Sequence, residues 1–127
     1  MRVYIDSDVL IWHLRGKKKA FNLLRRLSNN EEFDLWTGAL QRAEVVFFMR
    51  ADEANATNLF LSRFKTAPVD AEIVDVAGAL YRHWHPSHGI DVNDAFLAAT
   101  AIKTGGKIVT LNIKHFPMTD LVVDKAW

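Results

Sequence analysis

The chain contains no cysteine, which excludes disulfide bonds and metal sites built on thiolates. No uninterrupted apolar stretch approaches the roughly 20 residues that a membrane-spanning helix needs. Internal repeats and flexible linkers are also lacking. A chain of 127 residues is long enough to bury one continuous core and too short for two ordinary domains. We therefore expect one domain over residues 1–127.

The charges are almost balanced, with 16 basic residues against 15 acidic ones, so the net charge neither favours nor excludes a nucleic-acid partner. Basic residues do cluster near the start of the chain, where they could hold a polyanion or simply form a solvated helix face: Lys17, Lys18, Lys19, Arg25 and Arg26. The opening MRVYIDSDVLIW has two aspartates within its apolar run and no small-residue cleavage site after it. We expect no secretion signal and a cytoplasmic location.

Apolar periodicity predicts alternating strands and helices. The predicted strands are 2–6, 33–37, a short strand near Val69, 107–111 and 121–123. The predicted helices are 9–16, capped by Ser7 or Asp8, then 18–27, 40–50, 53–64, 71–84 before Pro86, and 92–103 before Gly105. This alternation predicts an α/β fold, specifically an α/β/α sandwich with a central parallel sheet.

The order of the strands suggests where a site would form. In open parallel sheets, ligands bind at the carboxyl ends of the strands, where the loops diverge. Asp6 closes the first predicted strand and Asn112 follows the strand 107–111. We expect both side chains on this edge of the sheet.

Glu44 is predicted to lie in the apolar stripe of its helix. The residues at helical spacing from it are Leu40, Phe47, Phe48 and Ala51. Because burial of an unpaired carboxylate costs several kcal/mol or forces protonation, Glu44 needs a cation or an opening onto a polar site.

Asp94 has a similar predicted position, since it shares its helix face with Leu97, Ala98 and Ala101. A negative charge in the first helical turn also interacts well with the helix dipole, which would explain its place in the turn but not its inward direction. Asp91, three residues earlier, is better explained as the N-cap of this helix.

Inward-facing acids without cysteine or clustered histidine predict an oxygen-ligand site suited to Mg²⁺ or Mn²⁺. Zinc is disfavoured because the histidines have no HExxH spacing, and we expect most of them on the surface: His13, His83, His85, His88 and His115. No GxxxxGK[ST] or GxGxxG motif is present, so a phosphate-binding loop is not supported.

Three segments carry a family resemblance. They are YIDSDVLIWHLRG, TGALQRAEVVFFM and GIDVNDAFLAATAIKTGGKIVTLNIKHF, in this order and across nearly the whole chain. In these segments the sequence resembles the PIN-domain ribonucleases, in particular the VapC-like toxins of toxin–antitoxin pairs. The resemblance implies that Asp6, Glu44 and Asp94 bind metal and that Asn112 occupies a fourth position, which is often Asp in the family.

The resemblance further implies hydrolysis of RNA phosphodiester bonds with one or two Mg²⁺ or Mn²⁺ ions. It implies a homodimer and a small antitoxin protein that covers the site. Ser7, Asp91 and Thr110 would be supporting polar residues. Candidates for contacts with the RNA backbone are Lys17, Lys18, Lys19, Arg42, Arg50, Lys107 and Lys114.

Two other functions are compatible with parts of the sequence. Asp6-Ser7-Asp8 after an aliphatic strand matches the DxD opening of haloacid-dehalogenase-like phosphatases. Leu10 is unusual for that motif, however, and Glu44 would have no role. The other alternative is a PIN-like scaffold that binds RNA or a partner without cutting. Inward-facing acids argue against it, because a scaffold has no need of them.

Overall fold

A computed structural model describes all residues from 1 to 127. Its five strands form one parallel sheet in the order β3-β2-β1-β4-β5. The strands are β1 (Arg2–Ile5), β2 (Asp34–Gly38), β3 (Lys65–Ala67), β4 (Lys107–Thr110) and β5 (Val123–Lys125). The chain builds outward from β1 to β3 on one side and then crosses back to add β4 and β5 on the other. The strand order therefore reverses between β1 and β4.

Helices connect the strands. They are α1 (Ser7–Leu14), α2 (Lys18–Ser28), α3 (Ala39–Val46), α4 (Ala54–Leu61), α5 (Ala71–His88) and α6 (Val92–Thr104), with short 3₁₀ helices at Ala51–Glu53 and Ile113–His115. Two of the helices are followed by a glycine with positive φ, Gly89 after α5 and Gly105 after α6. Such a glycine is common at a helix C-terminus. No helix combines the length and the apolar character needed to cross a bilayer.

The side chains of the central strand divide the core into two layers. Val3 and Ile5 of β1 pack with buried residues of α1, α2 and α4, whereas Tyr4 packs with α5 and α6 on the other face. All three strand residues are fully buried, as expected for a parallel strand covered on both faces. The predicted α/β/α sandwich with a central parallel sheet is confirmed.

The edge strands differ from the sequence prediction. β3 lies at Lys65–Ala67 rather than near Val69, and β5 lies at Val123–Lys125 rather than 121–123. Each has only three residues and pairs on one side only, so little apolar patterning marks its position. Pro86 does not end α5, because the helix continues to His88. A proline so near the helix end removes one donor while Gly89 still donates to the His85 carbonyl at 2.9 Å.

The predicted apolar stripe around Glu44 is wrong. α3 ends at Val46 instead of Arg50, so helical spacing no longer applies to the residues that follow. Phe47 and Phe48 are 79% and 82% exposed, and Glu44 itself is half-buried. An apolar stripe therefore does not account for the partial burial of Glu44.

Candidate metal centre

Asp6 lies at the carboxyl end of β1, beside the point where the strand order reverses. It is the N-cap of α1, the role that the sequence suggested for Ser7 or Asp8. Its Oδ1 accepts the Ser7 backbone N–H at 2.8 Å, and its Oδ2 accepts the Thr110 hydroxyl at 2.8 Å. Asp6 is only 7% exposed. The end of β4 and the start of α1 thus fix both of its oxygens.

Asp8 is a further acid of this site that the sequence analysis did not assign to it. Its Oδ2 accepts the Leu111 backbone N–H at 3.1 Å and lies 3.3 Å from the Thr110 hydroxyl oxygen. The DxD spacing was visible in the sequence, but we interpreted Asp8 only as a helix cap or a phosphatase residue. In the structure Thr110 stands between two carboxylates, Asp6 and Asp8.

The acids affect one another's ionisation. Burial, together with the neighbouring charges of Asp8 and Asp94, raises the pKa of Asp6 to about 7, although hydrogen bonds from Thr110 and Ser7 lower it in part. Burial also raises the pKa of Asp8. No lysine or arginine forms an ion pair with these three acids or with Glu44. The site therefore brings these acids together without a lysine or arginine to balance their charge.

Glu44 reaches the site from α3. Its Oε2 accepts the Ser7 hydroxyl and its Oε1 accepts the Asn93 side-chain amide, both at 2.8 Å. Asn93 belongs to the first turn of α6, 49 residues away in the chain. The sequence analysis missed Asn93, because nothing in the local pattern distinguishes it from a solvent-facing residue at a helix start. These two bonds explain the inward direction of Glu44.

Asp94 has two roles. Its Oδ2 accepts the Asp91 backbone N–H at 3.0 Å while Asp91 accepts the Asp94 backbone N–H at 2.7 Å, which forms a capping box at the start of α6. The predicted N-cap at Asp91 is thus confirmed. The Asp94 side chain also points inward, and burial raises its pKa to about 6.

Asn112 and Asp94 meet through a histidine. His115 Nδ1 lies 2.9 Å from Asn112 Nδ2 and 3.1 Å from Asp94 Oδ2. We expected most histidines on the surface, and His83, His85 and His88 are indeed exposed, but His115 is not. Its position three residues after Asn112, within one 3₁₀ turn, was the only sequence signal for this contact.

The contacts connect all four predicted residues in one closed circuit. From Asp6 it runs through Thr110 to the Asn112 backbone N–H at 3.0 Å, then through His115 to Asp94. Asn93 adjoins Asp94 in the chain and leads through Glu44 and Ser7 back to Asp6. Residues from β1, α3, α6 and the loop after β4 thus converge at one edge of the sheet.

The donor set fits a hard divalent cation. It consists of carboxylate, amide and hydroxyl oxygens, the ligands preferred by Mg²⁺ and Mn²⁺, and no lysine or arginine pairs with its acids. No three of the His, Asp or Glu side chains are close enough to form a ready-made coordination shell. Mg²⁺ does not require one, since it keeps several waters and takes only one or two protein carboxylates.

The basic residues suggested for RNA contacts are spread over several elements and lie at different distances from Asp6. Lys18 and Lys19 are exposed in the first turn of α2, and Lys17 lies 4.9 Å from the centre of the Trp12 ring. α1 separates them from Asp6 by roughly 12 Å of helix. Arg42 donates to the Thr66 hydroxyl at 3.2 Å. Lys107 opens β4 at the amino end of the strands, away from Asp6, and pairs with Asp124.

The fold and the site together define a parallel α/β protein with a carboxylate-rich site at the switch point of its sheet. Comparison with known proteins narrows this class. The PIN domain family model matches residues 3–119. Ribonuclease VapC19 of Mycobacterium tuberculosis is 37% identical over 115 residues, which cover 90% of this chain and 91% of that protein. Ribonuclease VapC10 of the same organism is 35% identical over 117 residues, 91% of this chain and 86% of its own.

Solved structures agree on the fold. A chain of VapBC2 from Rickettsia felis, bound to a DNA fragment from its promoter, superposes with a TM-score of 0.78 at 24% identity and covers 100% of this chain and 99% of its own. A chain of VapBC-1 from nontypeable Haemophilus influenzae gives a TM-score of 0.79 at 21% identity, covering 99% and 98%. The chain belongs to the PIN-domain family. This membership argues against the haloacid-dehalogenase-like phosphatase considered from the sequence.

The raised pKa of Asp6 gives the stability of the metal-free protein a defined pH dependence. Between pH 4 and 7 the folded protein retains a proton that the unfolded chain has released, so the free energy of unfolding falls as pH rises through this window and levels off above it. We expect Asp6→Asn to remove much of this fall. At pH 8 the variant should be more stable than the wild type by on the order of 1–3 kcal/mol, and near pH 4 the two should coincide.

Urea unfolding in EDTA between pH 4 and 8 measures this difference. Asp34→Asn is the matched control, because the pKa of Asp34 is lowered by the hydrogen bond from the Trp36 indole and its loss should not stabilise the protein at pH 8. An Asp6→Asn protein less stable than the wild type at pH 8 would contradict the unfavourable burial of the ionised Asp6.

Proposed function

We propose that this protein is a metal-dependent endoribonuclease and the toxin of a toxin–antitoxin pair. The observation that carries the proposal is the circuit joining Asp6, Glu44, Asp94 and Asn112 around an acidic edge with which no lysine or arginine pairs. Family membership and the ribonuclease relatives support RNA as the substrate. The scaffold alternative would leave buried, mutually repelling carboxylates without a purpose.

In the proposed reaction Asp6 and Asp94 hold Mg²⁺ or Mn²⁺, with Glu44 as the third acid and Asn112 as a neutral oxygen ligand. A bound divalent ion would lower the pKa of a water and stabilise charge on the phosphoryl oxygens. Thr110 and Ser7 orient Asp6 through the bonds described above, and Asp91 holds the start of α6 so that Asp94 points inward. Lys18, Lys19 and Arg42 remain candidates for contacts with the RNA backbone.

Replacing Asp94 by Asn should separate chemistry from folding. The substitution keeps the side-chain shape and an oxygen that can accept the Asp91 N–H, and it removes one of the repelling charges. We expect unchanged or slightly raised thermal stability and a loss of RNA cleavage of at least about 100-fold, beyond the loss typical of residues that only support a metal ligand. Excess EDTA should abolish wild-type cleavage and Mg²⁺ should restore it.

Cleavage of a mixed cellular RNA substrate and growth arrest on expression are the two measurements for this variant. Asp120→Asn, on an exposed residue outside the circuit, is the control and should cleave like the wild type. Full activity of Asp94→Asn, or cleavage in excess EDTA, would rule out the proposed chemistry.

The antitoxin is proposed to occupy a groove beside the site. This groove has a volume of about 350 Å³ and shares Glu44 with the metal centre, so an occupant would cover the acids. Its other lining residues are Ile11, Leu14, Arg15, Val45, Phe48, Met49, Glu53 and Thr57. An exposed apolar patch at such a groove is typical of a protein-binding surface, and an apolar helix or extended segment of a small protein fits it.

Phe48→Glu should weaken antitoxin binding by at least about tenfold while leaving RNA cleavage intact, because it replaces an exposed aromatic ring of the groove with a charge. Co-expression with the protein encoded by the adjacent upstream reading frame, followed by co-purification and calorimetry, measures the affinity. Leu59→Glu, an equally polar change at an exposed residue of α4 outside the groove, should bind normally. Equal binding by the wild type and Phe48→Glu would refute the groove assignment.

The homodimer is proposed to form through the opposite layer of the molecule. A shallow cleft of about 180 Å³ between α5 and α6 has no charged residue in its lining: Val74, Ala77, Gly78, Tyr81, Val92, Ala95 and Phe96. Val74 and Val92 are exposed there. Because the groove and the cleft lie on different faces of the sheet, a second copy and an antitoxin can bind at once.

Val92→Lys should convert the proposed dimer to a monomer in sedimentation experiments at micromolar concentration, since it places a charge in an apolar interface. Leu59→Lys is the control and should sediment as the wild type does. A wild-type protein that sediments as a monomer, or a Val92→Lys protein that remains a dimer, would exclude this interface.

A further inference from the structure

The carboxylate of Glu44 is fixed at both oxygens before any ligand is present. The Ser7 hydroxyl on α1 donates to Oε2 and the Asn93 amide on α6 donates to Oε1, each at 2.8 Å. α1 and α6 belong to different layers of the sandwich, so the two donors approach from opposite sides of the sheet. A glutamate on a half-exposed helix face otherwise has three freely rotating side-chain bonds.

Asn93 is itself held in place. Its backbone carbonyl accepts the side-chain amide of Gln41 at 2.9 Å, and Gln41 is buried to 1% exposure on the same helix as Glu44. Gly38 leaves the space that Gln41 needs, because a Cβ at that position would lie 2.1 Å from Gln41 Oε1. α3 and α6 are therefore joined by two bonds through one residue, one to its backbone and one to its side chain.

The direction of the Asn93 amide follows from its partner. A carboxylate only accepts hydrogen bonds, so the nitrogen of the amide must face Glu44 and its oxygen must face away. This arrangement gives the Asn93 side chain one defined orientation, with its donor aimed at a residue of the metal centre.

We propose that Asn93 is a positioning residue of the nuclease site, which holds Glu44 in the orientation needed for metal binding. This inference rests on the proposed function. Asn93 does not touch the metal or the RNA. It removes the rotational freedom of Glu44 during folding, so that less conformational entropy is lost when the cation binds. Ser7 restrains the other oxygen, and neither donor alone fixes the plane of the carboxylate.

Mn²⁺ binding to the full-length protein, followed by electron paramagnetic resonance and calorimetry, tests this role without RNA. Asn93→Ala should weaken Mn²⁺ binding by about tenfold or more, the usual effect of losing a residue that orients a metal ligand. Asn93→Leu keeps the approximate side-chain volume without the donor and should show the same loss, which guards against a folding defect in the alanine variant. Asn58→Ala, on an exposed face of α4, is the matched control and should bind as the wild type does.

A double-mutant cycle separates positioning from a general structural effect. Glu44→Ala should weaken Mn²⁺ binding more than Asn93→Ala does. In the Glu44→Ala background, Asn93→Ala should change the affinity by less than about twofold, because the residue it positions is gone. In cleavage assays Asn93→Ala should raise the Mn²⁺ concentration for half-maximal activity about tenfold, while kcat at saturating Mn²⁺ stays within about threefold of wild type.

The outcomes are distinguishable. Wild-type Mn²⁺ affinity in both Asn93 variants, or an equal loss from Asn93→Ala with and without Glu44, would overturn the positioning role and leave the proposed function standing. A wild-type protein that binds no Mn²⁺, or a Glu44→Ala protein with full affinity, would overturn the metal centre and the role of Asn93 together.

Discussion

The character of the site depends on the burial of the Asp6 carboxylate at the point where the strand order reverses. β1 is the central strand and is covered on both faces, so its last residue leaves the sheet inside the molecule rather than at its surface. Two hydrogen bonds and the start of α1 partly compensate the loss of hydration, but the pKa of Asp6 still rises to about 7. Neighbouring acids make the ionised form costlier. The ionised acids thus lower the local stability of this edge of the sheet, and the same charges attract cations to it.

The other acids are held by helices rather than by the sheet. Asp94 lies in the first turn of α6, where its side chain also closes a capping box with Asp91, and Glu44 lies near the middle of the short helix α3. Loss of a metal would leave α6 capped, because its capping box uses main-chain donors. The fold and the site therefore have separable stabilising contacts, although they share the same carboxylates.

The sequence predicted the structure best for those helices and strands whose own apolar periodicity marks them. The central strands, the helices α2 and α6 and the placement of Asp6 and Asn112 follow from apolar patterns and from the rule for parallel sheets. β3 and β5 were misplaced because three-residue edge strands have little pattern. Glu44 does lie beside the other acids, but the argument that placed it there was incorrect, since Phe47 and Phe48 do not continue its helix. Asn93, Asp8 and His115 could not be assigned from sequence, because their partners lie on other elements.

Phe47 and Phe48 have a consequence for the behaviour of the isolated chain. Two adjacent, nearly fully exposed aromatic rings follow a helix end on a protein whose net charge is only +1. Little electrostatic repulsion then opposes contact between copies, and exposed apolar surface of this kind promotes aggregation. A partner that covered these rings would therefore raise the colloidal stability of the chain.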